Sequence, residues 1–208
     1  MNTTDSLLDP RWGAARTLAD LGELTALWLE RDGVTCHPGY GDWEGDPGPD
    51  DETAEIVGPL AAANRAGYVT TNSQPGYRGD GVDPDNLGSG GTREWTQRAA
   101  VTGYATIATR DRLRAHLPLQ SLIYIDQPLL LLPRQRYTRH VPVTWCEGTE
   151  YTWFGHRAGI RDLLLDFSSR SWRLNTRLAA ARQITIIDQL SNRNTVLWPL
   201  LSEFGGAA

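Results

Sequence analysis

Residues Asn64–Pro75 read NRAGYVTTNSQP, a segment whose pattern suggests a helix end, a turn and a strand closing on a polar cluster. Thr70 and Ser73 offer hydroxyls that donate and accept, Asn72 and Gln74 offer amides, and Pro75 stops the strand. Such groups meeting at a strand end suit a small polar ligand; the alternative is that Asn72, Ser73 and Gln74 satisfy turn backbone. The plain catalytic signatures GxSxG, HExxH, GxGxxG before a helix and the phosphate loop are absent. The four histidines, His37, His116, His140 and His156, lack metal-ligand spacing, so no metal is expected. Side chains able to act as base or nucleophile in the flanking segments are His37, Glu147 and His156, with Glu150 and Tyr151 beside them; each also reads as a loop surface residue. Cys36 and Cys146 show no CxxC or Cys/His pattern and are expected as reduced structural thiols, with a disulfide left open.

The elements that must carry these residues follow from periodicity. Leu18, Leu21, Leu24, Leu27 and Trp28 recur at helical spacing over residues 17–31, with Asp32-Gly33 as the stop. Residues 38–51 are rich in glycine, proline and acids and are expected as loop. A helix is expected over 51–66, with Asp51, Glu52 and Glu55 in its first turn and Gly58-Pro59 kinking or splitting it. A strand at 68–72 precedes a glycine-rich passage over 74–91, read as a long functional loop. Strands are expected at 95–105, 121–127, 136–145 and 184–187. Helices are expected at 109–117 with Thr109 as its cap, and at 159–167, 172–182 and 195–204. This mixture implies an α/β or α+β fold with a single sheet of about four to five strands covered by helices. Residues 1–15 are expected as an N-terminal arm, 16–204 as one domain and 205–208 as a tail.

Composition narrows the chemistry. All 20 basic residues are arginine, which removes the Schiff-base lysine, the PLP anchor and the phosphate-loop lysine. A net charge of -5 with scattered arginines disfavours nucleic acid as a partner. The start MNTTDSLLDPRW shows no basic or apolar signal regions, and the apolar run Leu129–Leu132 is far too short to span a bilayer. A soluble cytoplasmic protein without membrane contact is expected.

The segment NRAGYVTTNSQP resembles the "NRQGILTINSQP" type of sequence in the C-terminal regulatory domain of eukaryotic methylenetetrahydrofolate reductase. In the same order, LADLGELTALWLERDGVTCHP is similar to that family's helix and "VTCLPW" segment, and Glu52-Thr53 to its Glu-Thr pair. TQRAAVTGYATIATRDRL resembles its "FQKAYLEFFTSRE" stretch, Val143-Thr144-Trp145 its "VTWG", and ITIIDQLSNRNTVLW its "LVNLVDND...LW" segment. The resemblance implies the fold of that regulatory domain and a ligand, S-adenosylmethionine (SAM) or S-adenosylhomocysteine (SAH), held by Glu52, Thr53, Thr70, Ser73 and Thr144. A further family threonine falls in the divergent stretch CEGTEYTWFGHRAG, where Thr149 and Thr152 are candidates, while Trp145 and Tyr68 are candidates for an aromatic wall or for core. The reductase barrel has no counterpart here, so no flavin and no folate reduction are expected.

Three functions follow. The first is a stand-alone SAM- or SAH-binding module that senses methyl-donor status and reports it to a protein partner or a second copy. The second is an enzyme consuming SAM by methyl or aminocarboxypropyl transfer, elimination or cyclisation, which needs a base or nucleophile near the sulfonium. The third is an interaction module without ligand, using its tryptophans as a surface.

Overall fold

The computed structural model describes residues 9–39, 48–82, 92–129, 140–159, 167 and 172–207. Asp9 caps a short helix, α1 (Pro10–Ala14), by accepting the Arg11 N–H at 2.8 Å. Trp12 on this helix is buried, and its indole N–H donates to the Cys36 carbonyl at 2.8 Å. The described part of the expected arm is thus packed into the molecule. Helix α2 (Leu18–Leu29) opens with a capping box between Thr17 and Asp20 and buries Leu18, Leu21, Leu24 and Trp28. It ends before the expected stop because Arg31, at φ 56°, turns the chain ahead of Gly33.

A 3-10 turn, Asp51–Ile56, runs directly into α3 (Val57–Arg65). The split therefore falls before Gly58-Pro59, and Pro59 sits in the first turn, where an α-helix has no use for its N–H. Strands β1 (Val69–Gln74) and β2 (Tyr77–Val82) follow. The second of these lies in the expected glycine-rich loop, of which residues 83–91 are outside the described residues. Next come β3 (Thr92–Ala105), α4 (Ile107–His116), β4 (Leu122–Pro128), β5 (Val141–Cys146) and β6 (Thr149–Phe154). The chain ends with α5 (Trp172–Ala179), β7 (Arg182–Ser191) and α6 (Leu197–Gly206). Thr106, rather than Thr109, caps α4, its hydroxyl accepting the Thr109 N–H at 3.1 Å. Strand β6 was not expected; the helix expected at 159–167 falls almost wholly outside the described residues.

The fold is mixed α/β with one antiparallel sheet of seven strands, wider than the four to five expected, and not closed into a barrel. Its trunk is β3. On one edge β1 and β2 pair with it in succession, Gln74 opposite Ala100 and Tyr77 opposite Gln97. On the other edge β7 pairs with Arg98 to Ala105 and β5 with Trp95 to Gln97, so the sheet forks, with β4 beyond β7 and β6 beyond β5. The main core joins α2, α3, α5 and α6 to the sheet through buried residues such as Leu21, Leu60, Leu178, Leu201, Val101 and Ile184. A smaller cluster of Ala100, Val143, Phe154 and Ile187 lies at the fork. Among the described residues no helix is long and apolar enough to cross a membrane, and Cys36 and Cys146 are free thiols.

Candidate functional site

Asn64, wholly buried in the last turn of α3, sets the position of Thr70. Its amide donates to the Leu60 carbonyl at 2.9 Å and to the Thr70 hydroxyl at 2.7 Å, while its carbonyl accepts the Thr70 N–H at 2.9 Å. Because the Thr70 oxygen already receives a hydrogen from Asn64, its own O–H is left to donate elsewhere. Gly103 on β3 lets the two strands approach here: a Cβ at that position would meet the Val69 carbonyl oxygen at 2.5 Å and Thr70 Cα at 2.9 Å.

Thr70 lines a recess between the start of β1, the 3-10 turn and α2. Strand β1 also contributes Thr71, Asn72 and Ser73 to its wall, and the 3-10 turn contributes Thr53. Thr25, Trp28 and Leu29 come from α2, Leu60 from α3, and Pro49 and Asp50 from the segment before the turn. Thr53 and Thr70 are 7% and 6% exposed, so their hydroxyls are held by packing. No hydrogen bond of the Thr53 or Ser73 hydroxyl is found among the described residues. Counted to its open mouth, with the solvent in it, the recess spans about 310 Å³.

Glu52 and Thr144 stand outside this lining: Glu52 precedes Thr53 in the 3-10 turn, and Thr144 lies on β5 at the fork of the sheet. Loss of solvent, and after it the nearby charge of Asp50, raise the Glu52 pKa above its ordinary value, with the neighbouring Gln97 side chain opposing. Gln97 on β3 is the register partner of Thr144 on β5. The buried Thr144 hydroxyl accepts from Thr152 at 2.7 Å and meets the Gln74 amide at 3.3 Å. Of the two candidate threonines, Thr152 is the one joined to Thr144; Thr149 is exposed at the hairpin end. Gln74 itself is committed to backbone, donating to the Arg98 carbonyl at 2.9 Å.

The other candidates lie elsewhere. His37 is buried among the rings of Trp12, Trp28 and Phe167 and is not in the recess lining. Glu147 occupies the β5–β6 turn at φ 51°, where its carboxylate accepts the Glu94 N–H at 2.8 Å. His156 is exposed, its ring 5.5 Å from that of His140. Glu150 accepts the Trp153 indole N–H at 3.1 Å, and Tyr151 packs edge-on to Trp95 at 4.9 Å. Tyr68 is core, its hydroxyl donating to the Ile184 carbonyl at 3.0 Å, and Trp145 carries the Arg98 guanidinium 4.9 Å above its ring. The aromatic residue that does line the recess is Trp28, which in the sequence is only an apolar position of an amphipathic helix. Thr25 and Asp50 also line the recess, and nothing local in the sequence marks them. Among the described residues no group of three His, Cys, Asp or Glu is placed to hold a metal ion.

No curated protein matches the chain. A family model does, over residues 8–204. The stretch matched takes in α1, the recess, the fork of the sheet and nearly all of α6, so the chain belongs to the family described as a domain of unknown function (DUF6919).

Proposed function

We propose that this protein binds SAM or SAH in the cytoplasm as a ligand-sensing or regulatory module. The observation that carries the reading is the meeting of Thr53, Thr70 and Ser73 at one recess, from two segments of the chain. Glu52 adjoins that recess as the chain neighbour of Thr53, whereas Thr144 lies on β5, outside the lining. Hydroxyls with unspent hydrogen-bonding capacity suit an amino acid head or ring nitrogens, and the Glu52 carboxylate suits ribose hydroxyls or an ammonium. One end of the ligand would enter the recess and the remainder would run past Glu52 and Gln97 toward Thr144 and Thr152. Binding is favoured over consumption because His37, Glu147 and His156 all lie away from the recess lining. A module of this kind signals by binding one conformation of itself, or of a complex, better than another.

Calorimetry with SAM and with SAH, followed by analysis of the small molecules recovered, tests the reading. Saturable heat with SAM recovered intact is expected, and Thr70→Val with Ser73→Ala lowers affinity at least tenfold. No heat at millimolar ligand, or unchanged affinity in the double variant, refutes the proposal. Recovery of methylthioadenosine, homoserine lactone or SAH from SAM establishes an enzyme instead.

A further inference from the structure

We propose that the recess is a cation-selective subsite, in which Trp28 and Asp50 recognise a sulfonium group. The inference rests on the proposed adenosyl ligand for its choice of substrate and on the composition of the recess for its chemistry. Asp50 is the one charged side chain among the described lining residues, and it is an acid. It stands at the N-cap position of the 3-10 turn without making a side-chain cap bond, so its carboxylate is not committed there. Although every positive side chain of the protein is an arginine and there are 20 of them, none is found among the described lining residues. Arg31, the cation an anion-binding site would need, packs beside Gly48 and is outside the lining. Trp28 adds an indole, whose electron-rich face attracts a desolvated cation, and Thr53, Thr70 and Ser73 add hydroxyl oxygens whose lone pairs favour positive charge.

SAM and SAH differ at this group by one methyl and one positive charge, so the subsite separates them. A partly buried cation–aromatic contact with a nearby carboxylate is worth roughly three- to thirtyfold in affinity. Calorimetry on the full-length protein is expected to give SAM binding about tenfold tighter than SAH. Asp50→Asn, at an exposed position that leaves the core intact, narrows that ratio below threefold and leaves SAH affinity within twofold. In parallel, trimethylsulfonium titrated against the protein shifts the Trp28 indole signal, identified by its loss in Trp28→Phe. Equal affinity for SAM and SAH, or an unchanged ratio in Asp50→Asn, overturns the subsite while the adenosyl-binding reading stands. If neither nucleoside binds but trimethylsulfonium still shifts the Trp28 signal, the adenosyl reading fails and the subsite stands. Absence of every one of these responses overturns both.

Discussion

His37 shows how one side chain's surroundings decide its chemistry. Among flanking residues it offers an imidazole suited to proton transfer, yet the fold encloses it with ring centroids of Trp12, Trp28 and Phe167 at 4.8, 5.0 and 5.6 Å. Its Nδ1 accepts the Gly39 N–H at 3.0 Å, which fits the neutral ring. Burial removes the water that would solvate an imidazolium and pushes the pKa down to about 3, from an ordinary 6.5. The unfolded chain therefore takes up a proton below about pH 6.5 that the folded one refuses. Stability from this group is complete above that pH and is lost as the pH falls toward 3. Each unit of pH in that window costs up to about 1.4 kcal/mol, so moving from pH 7 to pH 5 removes about 2 kcal/mol. Urea unfolding of wild type and His37→Phe at the two pH values measures the difference. The variant loses the Gly39 contact at both, but its acid sensitivity is shallower by about that amount; parallel slopes for the two proteins would contradict the assignment.

At the scale of elements, what was legible in the sequence was local. The spacing of Leu18, Leu21, Leu24 and Trp28 specifies an amphipathic helix whatever lies around it, and the polar run of β1 stands out because its hydroxyls are adjacent in the chain. Strand β2 was hidden by Gly79 and Gly81, which ordinarily weaken a strand. In the fold those glycines lie under aromatic rings: a Cβ on Gly79 would meet Tyr77 Oη at 2.6 Å, and one on Gly81 would meet Trp95 Cδ1 at 2.8 Å. Strand β6, TEYTWF, is made of β-favouring threonines and aromatics but leaves most of them exposed, so it has no buried face to mark it; Glu147 and Gly148, both at positive φ, are the residues a tight hairpin turn requires. The place of Trp28 and Asp50 in the site depends on how α2 and the 3-10 turn pack against β1, which no local pattern in the sequence carries. Gly103 tests that packing directly. Ala at this position must push back the β1 backbone, with loss of about 2–4 kcal/mol and weaker ligand binding through a displaced Thr70. Gly13 in α1 is exposed, has nothing within 4 Å of a would-be Cβ and is followed by alanine, so Gly13→Ala stabilises by about 0.5–1 kcal/mol. Thermal and urea midpoints of the two variants should move in opposite directions; a Gly103→Ala protein within 0.5 kcal/mol of wild type would show that the strands are not tightly apposed.

Across the whole molecule, the sheet has two discontinuities, and side-chain amides satisfy the backbone at both. Between β1 and β2 the ladder is interrupted at Pro75-Gly76. Gln97 donates to the Pro75 carbonyl at 2.8 Å, while Asn194 accepts the Gly76 N–H at 2.7 Å and donates to its carbonyl at 3.0 Å. At the fork, where β7 and β5 leave β3, the Gln74 amide donates to the Arg98 carbonyl at 2.9 Å and lies 3.4 Å from the Val143 carbonyl. Gln74 is 7% exposed, so water offers little relief to carbonyls left without a donor. The same amide touches Thr144, so the residue that holds the fork together also positions one member of the proposed site. Gln74→Leu keeps the volume but removes the donor, and loss of about 2–4 kcal/mol follows from the carbonyls left unsatisfied. Gln74→Glu is the sharper variant. At neutral pH it sets a carboxylate against two carbonyl oxygens, a worse exchange than leucine, because a charge is then buried among acceptors. On acidification the carboxyl gains a proton and can donate to one of them. Since this contact raises the carboxyl's folded-state pKa, Gln74→Glu regains stability relative to wild type as the pH falls, whereas the deficit of Gln74→Leu stays constant. Urea midpoints of the three proteins between pH 5 and pH 8 decide the matter: a Gln74→Glu deficit that does not shrink with acid would remove Gln74 from the fork.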